Sequence, residues 1–420
     1  MVIDMNQKTI STSLRDRSKR VMNTSHPIVH EIKEMIAERL SQGKEVIDFS
    51  QAILSFSPPP PVLEVLKNLD PNDPELHRLG RVGGLPELRE AVAEYRKDAY
   101  CEKINAKNIL ITAGANHAFL LAIMTLADSD GTVALLEPYF FNHEMTIGLA
   151  GCNLVSAKLI DHDHGELEFK QHKAFTRPSF FTSSFDGGDQ NWSNVDVLVV
   201  TNPNNPTGTY IEGLDRLEKM GKWLVVDESY LHFDYRREPR PTPHRFTLDH
   251  TLHIGSFSKS FSLGGWRVGY IIAHEKLIPE LIKVQDATLI HPAVLSQKLA
   301  LAALQDPKAH FGVILPELGR RREELLKGLK ASGKFENIYG DGAVFLFVKL
   351  KGNGYDSDFQ AMGLLDDLGI ATVPCSTFGE RGRGYLRFAY GMTDVEQIQR
   401  ACTLMKDETN PNTRSGMKHL

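Results

Sequence analysis

The sequence is poor in cysteine and offers no clustered metal-binding or redox motif. Its 420 residues include only four cysteines, which are scattered along the chain: Cys101, Cys152, Cys375 and Cys402. None of them has the close spacing that zinc ligands or a redox pair require, and free thiols of this kind are typical of a reducing compartment. We therefore expect a cytoplasmic protein without a metal centre.

The sequence also lacks a long uninterrupted apolar run. The N-terminal segment MVIDMNQKTISTSLRDRSKRV contains no continuous apolar core of the kind found in secretory signals. The most apolar window, residues 109–127, is interrupted by Gly114, Asn116 and His117. This pattern disfavours a membrane span and predicts a strand, a tight turn and a helix in succession.

No charge of one sign dominates the chain. Its 48 lysines and arginines stand against 53 acidic residues, which gives a formal net charge of -5. We therefore expect neither nucleic acid nor a membrane surface as a partner. A chain of this length can bury large cores and form two ordinary domains.

The middle of the chain repeats short apolar strands, each followed by a glycine or proline turn. The predicted strands lie in NILITAG, GTVALLEP, CNLVSAKL, VDVLVVTNP, KWLVVDESY, TLHIGSFSK and VGYIIAH. Near-continuous runs of Val, Ile and Leu are typical of strands that are buried on both faces of a parallel sheet. We predict an α/β fold with a mainly parallel seven-stranded sheet and functional residues at the carboxyl ends of its strands.

The two ends of the chain predict a second, smaller unit. Apolar residues at helical spacing predict a helix over 27–42, and VIDFSQAI follows as a short strand. Beyond the sheet we predict a long helix that begins near Pro316, a strand in AVFLFVKL, a helix over 356–368 and a strand in GYLRFAYG. These elements indicate an α+β unit that packs with the N-terminal segment.

The pattern predicts four segments along the chain. They are an N-terminal arm with part of the small domain at 1–60, a large domain at 61–305, a C-terminal small domain at 306–406 and a disordered tail at 407–420. Within the large domain, the irregular segment 161–194 is interpreted as a variable loop.

Polar and small residues follow successive predicted strands. They are Gly114, Ala115 and Asn116 after ILIT, Phe140 after LLEP, Asn205 in NPNNPTG, Asp227 and Tyr230 in VVDESY, and Ser256, Lys259 and Arg267 in SFSKSFSLGGWRVG. Taken singly, each is explained as a turn or a helix cap. Taken together and in this order, they indicate one site at the edge of the sheet.

This set of motifs resembles the fold type I pyridoxal-phosphate enzymes, in particular the class I and II aminotransferases, over residues 27–405. The sequence of the loop around Lys259 is most similar to that of kynurenine and glutamine-phenylpyruvate type aminotransferases. The motifs NPNNPTG and SFSKSFSLGGWRVG together are highly specific for this family. The resemblance implies pyridoxal 5'-phosphate as cofactor, an amino acid and a 2-oxo acid as substrates, and a homodimer with sites at the subunit boundary.

The resemblance also implies the roles of the residues that touch the cofactor ring. By this likeness, Lys259 forms the Schiff base with the cofactor aldehyde and moves the α-proton. Asp227 faces the pyridine nitrogen and keeps it protonated. Asn205 and Tyr230 hydrogen-bond the phenolic oxygen, and Phe140 stacks on the ring.

The resemblance also implies which residues bind the cofactor phosphate and which bind the substrate. The phosphate is held by Arg267, by the Ser256 hydroxyl and by the backbone N–H groups of Gly114, Ala115 and Asn116 at a helix N-terminus.

The resemblance implies that Arg387 in YLRFAYG binds the α-carboxylate of the substrate and that Asn205 also contacts the substrate. Ala52 stands where the family has a glycine whose N–H touches that carboxylate, and it can serve if its φ is negative. His26, in the arm ahead of the first helix, is a candidate contact to the substrate.

The sequence departs from the family pattern at two informative positions. Leu79 stands where the family has a tyrosine that reaches the phosphate of the partner subunit. His291 stands where relatives specific for dicarboxylates have an arginine. A neutral histidine pairs weakly with a distal carboxylate, so we expect a non-dicarboxylic amino acid as substrate.

Three functions remain open at this point. The first is an aminotransferase. The second is a lyase or cyclase that uses the same cofactor and eliminates a β- or γ-substituent before ring closure, for example on an arginine-like amino acid. The third is an effector-binding regulator. Two observations disfavour it: the N-terminal region is too short and too weakly patterned for a DNA-binding domain, and the catalytic residues are all present. These residues are Asn205, Asp227, Tyr230, Lys259, Arg267 and Arg387.

Overall fold

A computed structural model describes residues 17–158, 194–211, 214–235, 247–352 and 356–407. The predicted variable loop, apart from Asn194, and the predicted disordered tail after Asp407 lie outside the described residues. Within those ranges, no helix has both the length and the apolar character needed to cross a membrane.

The described residues form helices and strands that alternate along most of the chain. The helices are α1 (Lys19–Met22), α2 (Ile28–Ser41), α3 (Pro60–Lys67), α4 (Pro86–Tyr100), α5 (Ala115–Leu126), α6 (Phe141–Ala150), α7 (Leu214–Glu218), α8 (Phe257–Ser260), α9 (Ile278–Thr288), α10 (Val294–Ala303), α11 (Pro307–Ser332), α12 (Ser357–Leu368) and α13 (Val395–Asp407). The strands are β1 (Ile47–Asp48), β2 (Ile109–Thr112), β3 (Thr132–Glu137), β4 (Asn153–Lys158), β5 (Val197–Thr201), β6 (Trp223–Asp227), β7 (Thr251–Ser256), β8 (Gly269–Ile272), β9 (Phe335–Tyr339), β10 (Phe345–Leu350), β11 (Ile370–Ala371), β12 (Val373–Pro374) and β13 (Tyr385–Ala389).

The seven predicted strands form one sheet in the order β2-β8-β7-β6-β5-β3-β4. Strand β8 runs antiparallel to both of its neighbours, and the other neighbouring pairs are parallel. The prediction of a mainly parallel seven-stranded sheet is therefore confirmed. The carboxyl ends of β5, β6 and β7 lie side by side, which brings the segments that follow them to one edge.

Both faces of this sheet are covered, as the apolar runs predict. Along β5, Val197 and Val199 belong to the core beneath α5 and α9, whereas Leu198 and Val200 pack on the opposite face with Leu214 of α7. Alternate side chains point to opposite faces of a strand, so a strand covered on both faces must be apolar throughout.

A second core joins the two ends of the chain. Strands β12, β13, β10 and β9 form an antiparallel sheet, while β1 pairs in parallel with β11 through Ile47 and Ile370. Phe49, which follows β1, packs against Phe388 of β13 with ring centroids 5.7 Å apart. The N-terminal segment thus packs on the C-terminal unit. The domain boundaries at residues 60, 305 and 406 stay a prediction.

One predicted helix boundary is wrong. Helix α11 begins at Pro307, and Pro316 lies inside it. The Asp306 side chain accepts a hydrogen bond from the Ala309 N–H at 3.0 Å, and a proline in the first helical position loses no helical hydrogen bond. The earlier turns also bury Ile314 in the second core, so packing stabilises helix on both sides of the interior proline.

Candidate active site

The carboxyl edge of the large sheet and the second core enclose a cavity of about 530 Å³. Of the predicted site residues, those that line it are Ala52, Ala115, Asn116, Phe140, Asn205, Asp227, Tyr230, Ser256, Lys259, Arg267 and Arg387. Residues separated by up to 335 positions in the chain (387 minus 52) are therefore brought to one place.

One end of the cavity is a cationic surface at the start of α5. Gly114 precedes this helix with φ of +84°, and the Arg267 guanidinium lies directly against it. Arg267 donates hydrogen bonds to the Gly264 carbonyl at 3.0 Å and to the Ser258 hydroxyl at 3.3 Å. Free N–H groups of a helix N-terminus beside a fixed guanidinium form a site suited to a phosphate.

Lys259 lies on the short helix α8, directly after β7. Ser256 caps this helix, because its hydroxyl accepts a hydrogen bond from the Ser258 N–H at 3.1 Å. Phe257 and Ser260 are buried, so the turn presents Lys259 to the cavity.

The amine of Lys259 is held in a state suited to nucleophilic chemistry. Burial, followed by the positive charges of Arg387, Arg267 and Lys33, lowers its pKa to about 8, against a smaller opposite effect of Asp227. An ammonium that is desolvated and repelled by other cations loses its proton more readily. A substantial fraction of the amine is therefore neutral near physiological pH.

Asp227 ends β6 and is supported by a histidine that the sequence analysis did not single out. One carboxylate oxygen accepts a hydrogen bond from the Ser229 N–H at 2.9 Å, and the other accepts one from His143 Nε2 at 3.2 Å. His143 is buried and stacks on Phe119 with ring centroids 4.0 Å apart. The carboxylate is thus fixed in orientation beneath the cavity.

Arg387 enters the cavity from β13 and is held between two aromatic rings. Its guanidinium carbon lies 5.2 Å from the ring centroids of both Phe345 and Phe378. It donates hydrogen bonds to Asn205 Oδ1 at 2.9 Å and to the Ser50 carbonyl at 2.8 Å. Its Nε is buried and has no hydrogen-bond partner among the described residues. A guanidinium that is fixed in this way at the cavity wall is suited to a carboxylate ligand.

The remaining predicted residues complete the wall of the cavity. Tyr230 is buried and packs edge-on against Phe345, and burial raises the pKa of its hydroxyl. Phe140 precedes α6 and lines the cavity three residues before His143. Ala52 does not adopt a positive φ, so the backbone condition for an alanine at this position is met.

Three other predicted positions do not line the cavity. His26 is exposed and lies outside the cavity wall, although the next residue, Pro27, belongs to it. Leu79 is 77% exposed. His291 accepts a hydrogen bond from the Gly80 N–H at Nε2, 2.8 Å away, and its Nδ1 donates to the Pro292 carbonyl at 2.7 Å. Nε2 of His291 thus acts as an acceptor and Nδ1 as a donor, which is the arrangement of a neutral imidazole.

Several residues of the site were missed because they carry no local signal. His143 meets Asp227 across 84 positions of sequence, and only the pairing of β3 and β6 through β5 brings them together. The one local signal is that His143 lies in the first turn of α6, three residues after Phe140, which precedes that helix. Ser50, Ser258 and Lys33 were missed for the same reason.

Comparisons with known proteins agree with this geometry. A family model described as aminotransferase class I and II matches residues 44–404. An aromatic aminotransferase of Arabidopsis thaliana is 30% identical over 406 residues, which cover 93% of this chain and 95% of that protein. An aspartate aminotransferase of Pyrococcus horikoshii is 27% identical over 376 residues, covering 88% of this chain and 92% of that protein.

A solved structure shows the same fold. The chain of a double mutant of the Thermus thermophilus aspartate aminotransferase is similar with a TM-score of 0.80 and 24% identity, covering 94% of this chain and 100% of that one. The names of these three proteins describe aminotransferases, and none of the three is named a lyase or a cyclase.

Proposed function

The chain belongs to the class I and II aminotransferases, and on that premise we propose that it transfers the amino group of a non-dicarboxylic L-amino acid to a 2-oxo acid. Members of this family depend on pyridoxal 5'-phosphate, so the protein is a transferase that uses this cofactor. The observation that carries the proposal is the placement of Lys259, Asp227, Arg267 and Arg387 around one cavity.

The residues of the cavity fit this cofactor. Position 114 admits no side chain beside Arg267, which leaves the start of α5 open to a phosphate. The Asp227 carboxylate offers an acceptor for a protonated ring nitrogen, and Tyr230 offers a hydroxyl for the phenolic oxygen. Lys259 offers an amine whose pKa of about 8 suits covalent attachment to an aldehyde.

Bound pyridoxal phosphate supplies an aldehyde that captures the substrate amine and a ring that takes up the electron pair released at Cα. The chain supplies the proton transfer. The neutral Lys259 Nζ would accept the proton from the substrate Cα and hold it for the return transfer, because it is the base of this cavity whose pKa is lowered to about 8. Asp227, whose carboxylate is fixed by His143, would accept a hydrogen bond from the ring nitrogen and so favour its protonated form.

Arg387 orients the substrate for this transfer. Its guanidinium lines the cavity and binds the α-carboxylate, and the hydrogen bonds to Asn205 and the Ser50 carbonyl prevent the side chain from turning away. A carboxylate fixed in this way leaves the bond from Cα to hydrogen facing the base.

The substrate class is supported by the cavity wall and by the state of His291, although His291 itself does not belong to the described wall. The His291 imidazole is hydrogen-bonded at both nitrogens as a neutral ring, so it offers no firm charge to a distal carboxylate. Val29, Ile53 and Leu54 line the cavity and favour an apolar side chain. The relatives described above include both an aromatic and an aspartate aminotransferase.

We further propose that the enzyme is a cytoplasmic homodimer. The support is the exposed side chain of Leu79, which stands where the family has a residue that contacts the partner subunit. Sedimentation at micromolar concentration tests this: a dimer is expected, and a monomer with full activity would contradict it.

A donor panel tests the reaction. The holoenzyme is incubated with aromatic amino acids, methionine, glutamine, basic amino acids and aspartate, together with a 2-oxo acid, and products are identified by mass spectrometry. We expect one 2-oxo acid for each new amino acid. Aspartate as the preferred donor would contradict the substrate class. A cyclised or eliminated product formed without an acceptor would establish the lyase or cyclase alternative instead.

A further inference from the structure

One cation of the cavity has no role in the proposed reaction. Lys33 lines the cavity together with Arg267, Arg387 and Lys259. Arg267 faces the phosphate site, Arg387 binds the α-carboxylate and Lys259 moves the proton. Lys33 forms no hydrogen bond or ion pair with any residue in the described ranges, although it lies on a helix with acidic neighbours.

The helix pattern explains why Lys33 faces the cavity. On α2, Ile28 and Ile32 are buried in a core with Phe141, whereas Val29 and Lys33 line the cavity. Residues four positions apart lie on the same face of a helix, so Lys33 lies one turn beyond Val29 along that face. The Lys33 side chain is exposed as well, which places its ammonium group at the rim.

The charge of Lys33 acts inside the cavity. After burial, Arg387 and Arg267, it is the next cause of the lowered pKa of Lys259. Asp227 is the one carboxylate among the described residues of the cavity wall, and it is hydrogen-bonded by His143. The positive charge of Lys33 is therefore not neutralised by the described part of the wall.

Amino transfer proceeds in two half-reactions, so the donor amino acid and the acceptor 2-oxo acid occupy the same pocket one after the other. We propose that Lys33 binds the distal carboxylate of a dicarboxylic 2-oxo acid acceptor and withdraws into solvent when an apolar donor occupies the pocket. This inference rests on the proposed function. A lysine suits the task because its ammonium group is a point charge on four flexible methylenes, and because the apolar stem can lie along Val29 in either position.

The test compares two acceptors that differ only at the distal end. The kcat/KM of the holoenzyme is measured for 2-oxoglutarate and for 2-oxopentanoate, which has the same carbon number and no distal carboxylate. The variants are Lys33→Met, Lys33→Arg and the matched control Lys44→Met. Lys44 is an exposed lysine that follows α2 and lies outside the cavity wall.

We expect Lys33→Met to lower kcat/KM for 2-oxoglutarate about tenfold, mainly through KM, because a charge-assisted hydrogen bond is lost. The value for 2-oxopentanoate should change less than twofold, and Lys33→Arg should keep most of the preference. An equal loss with both acceptors, no loss with either, or the same loss in Lys44→Met would overturn the inference.

A binding experiment separates this inference from the reaction itself. Dissociation constants of glutarate and pentanoate for the holoenzyme are measured by calorimetry, which needs no turnover. We expect Lys33→Met to weaken glutarate about tenfold and pentanoate less than twofold. If the wild-type enzyme transfers no amino group, the proposed function fails, whereas the glutarate titration still decides the role of Lys33: unchanged binding in Lys33→Met would refute it.

Discussion

Gly114 and Arg267 lie so close together that no side chain fits at position 114. A Cβ atom there would lie 2.6 Å from Nη2 and 3.1 Å from Cζ of Arg267. The φ of Gly114 is +84°, a conformation that other residues adopt only with strain. The proposed anion site at the start of α5 therefore depends on one glycine and one arginine that meet across 153 positions of sequence (267 minus 114).

The first prediction concerns the variant Gly114→Ala. The added methyl group must displace the guanidinium of Arg267, so we expect the affinity for pyridoxal phosphate to fall about tenfold or more, from backbone strain of roughly 1–3 kcal/mol and the lost contact. Absorbance titration of the apoprotein with the cofactor measures this change.

The matched control for this variant is Gly43→Ala. Gly43 also has a positive φ, +72°, but an added Cβ atom there meets nothing within 4 Å. We expect this variant to lose about 1 kcal/mol of stability and to bind the cofactor normally. Equal cofactor affinity in both variants would contradict the account of the anion site.

The second prediction concerns the pair Asp227 and His143. Replacing Asp227 with Asn removes the negative charge beneath the ring nitrogen, so kcat should fall by about 10²–10⁴-fold. His143→Asn should have a smaller effect, because the carboxylate keeps its hydrogen bond from the Ser229 N–H. Steady-state kinetics of both variants checks this order, and a larger loss in His143→Asn would show that the histidine has a direct role.

The third prediction is a pH dependence of cofactor attachment. The Lys259 amine has a pKa of about 8, lowered first by burial and next by Arg387. Only the neutral amine attacks the aldehyde, so the rate of covalent capture by the apoprotein should rise about tenfold per pH unit below 8 and level off above it. Stopped-flow absorbance measures the rate.

The variant Arg387→Leu tests the cause of that pKa. Removing the positive charge raises the pKa of Lys259 toward its ordinary value, so the midpoint of the rate profile should move to higher pH. A wild-type midpoint near pH 10, or no shift in Arg387→Leu, would contradict the electrostatic account.

The fourth prediction concerns His232, a half-buried histidine behind the lysine. His232 Nδ1 lies 2.7 Å from the hydroxyl of Ser260, the residue next to Lys259, and its ring stacks on Phe311. Burial, followed by the charge of Arg96, lowers the pKa of His232 to about 3 in the folded protein. In the unfolded chain the pKa is about 6.5.

The sign of the effect on stability follows from these two values. Below pH 6.5 His232 binds a proton in the unfolded chain but stays neutral in the folded protein. Protonation therefore favours the unfolded chain, and the free energy of unfolding decreases as the pH falls from 6.5 toward 3. Between pH 7 and pH 5, the free energy of unfolding of the wild type should decrease by about 2 kcal/mol more than that of His232→Gln. Urea unfolding of the two proteins measures this difference, and a constant difference would refute the prediction.

Much of the fold follows from local sequence patterns. The runs of Val, Ile and Leu in β5, β6 and β7 require burial on both faces, and the polar residues after them must then meet at one edge of the sheet. The positions of Asp227 and Lys259 could therefore be predicted from strand ends and motif order.

Other features could not be predicted because they arise from long-range packing. The start of α11 depends on a cap at Asp306 and on the burial of Ile314, whereas Pro316 is the more conspicuous signal in the sequence. His143 and Lys33 stand in ordinary helical patterns, and only the assembled fold shows that one meets Asp227 and the other lines the cavity.

In the proposed enzyme, Lys259 holds the cofactor covalently. Borohydride reduction of the purified holoenzyme, followed by proteolysis and peptide mass mapping, tests it directly. We expect a single reduced pyridoxyl adduct on the peptide that contains Lys259. An adduct on another lysine, or no adduct in a protein that carries the cofactor, would contradict it.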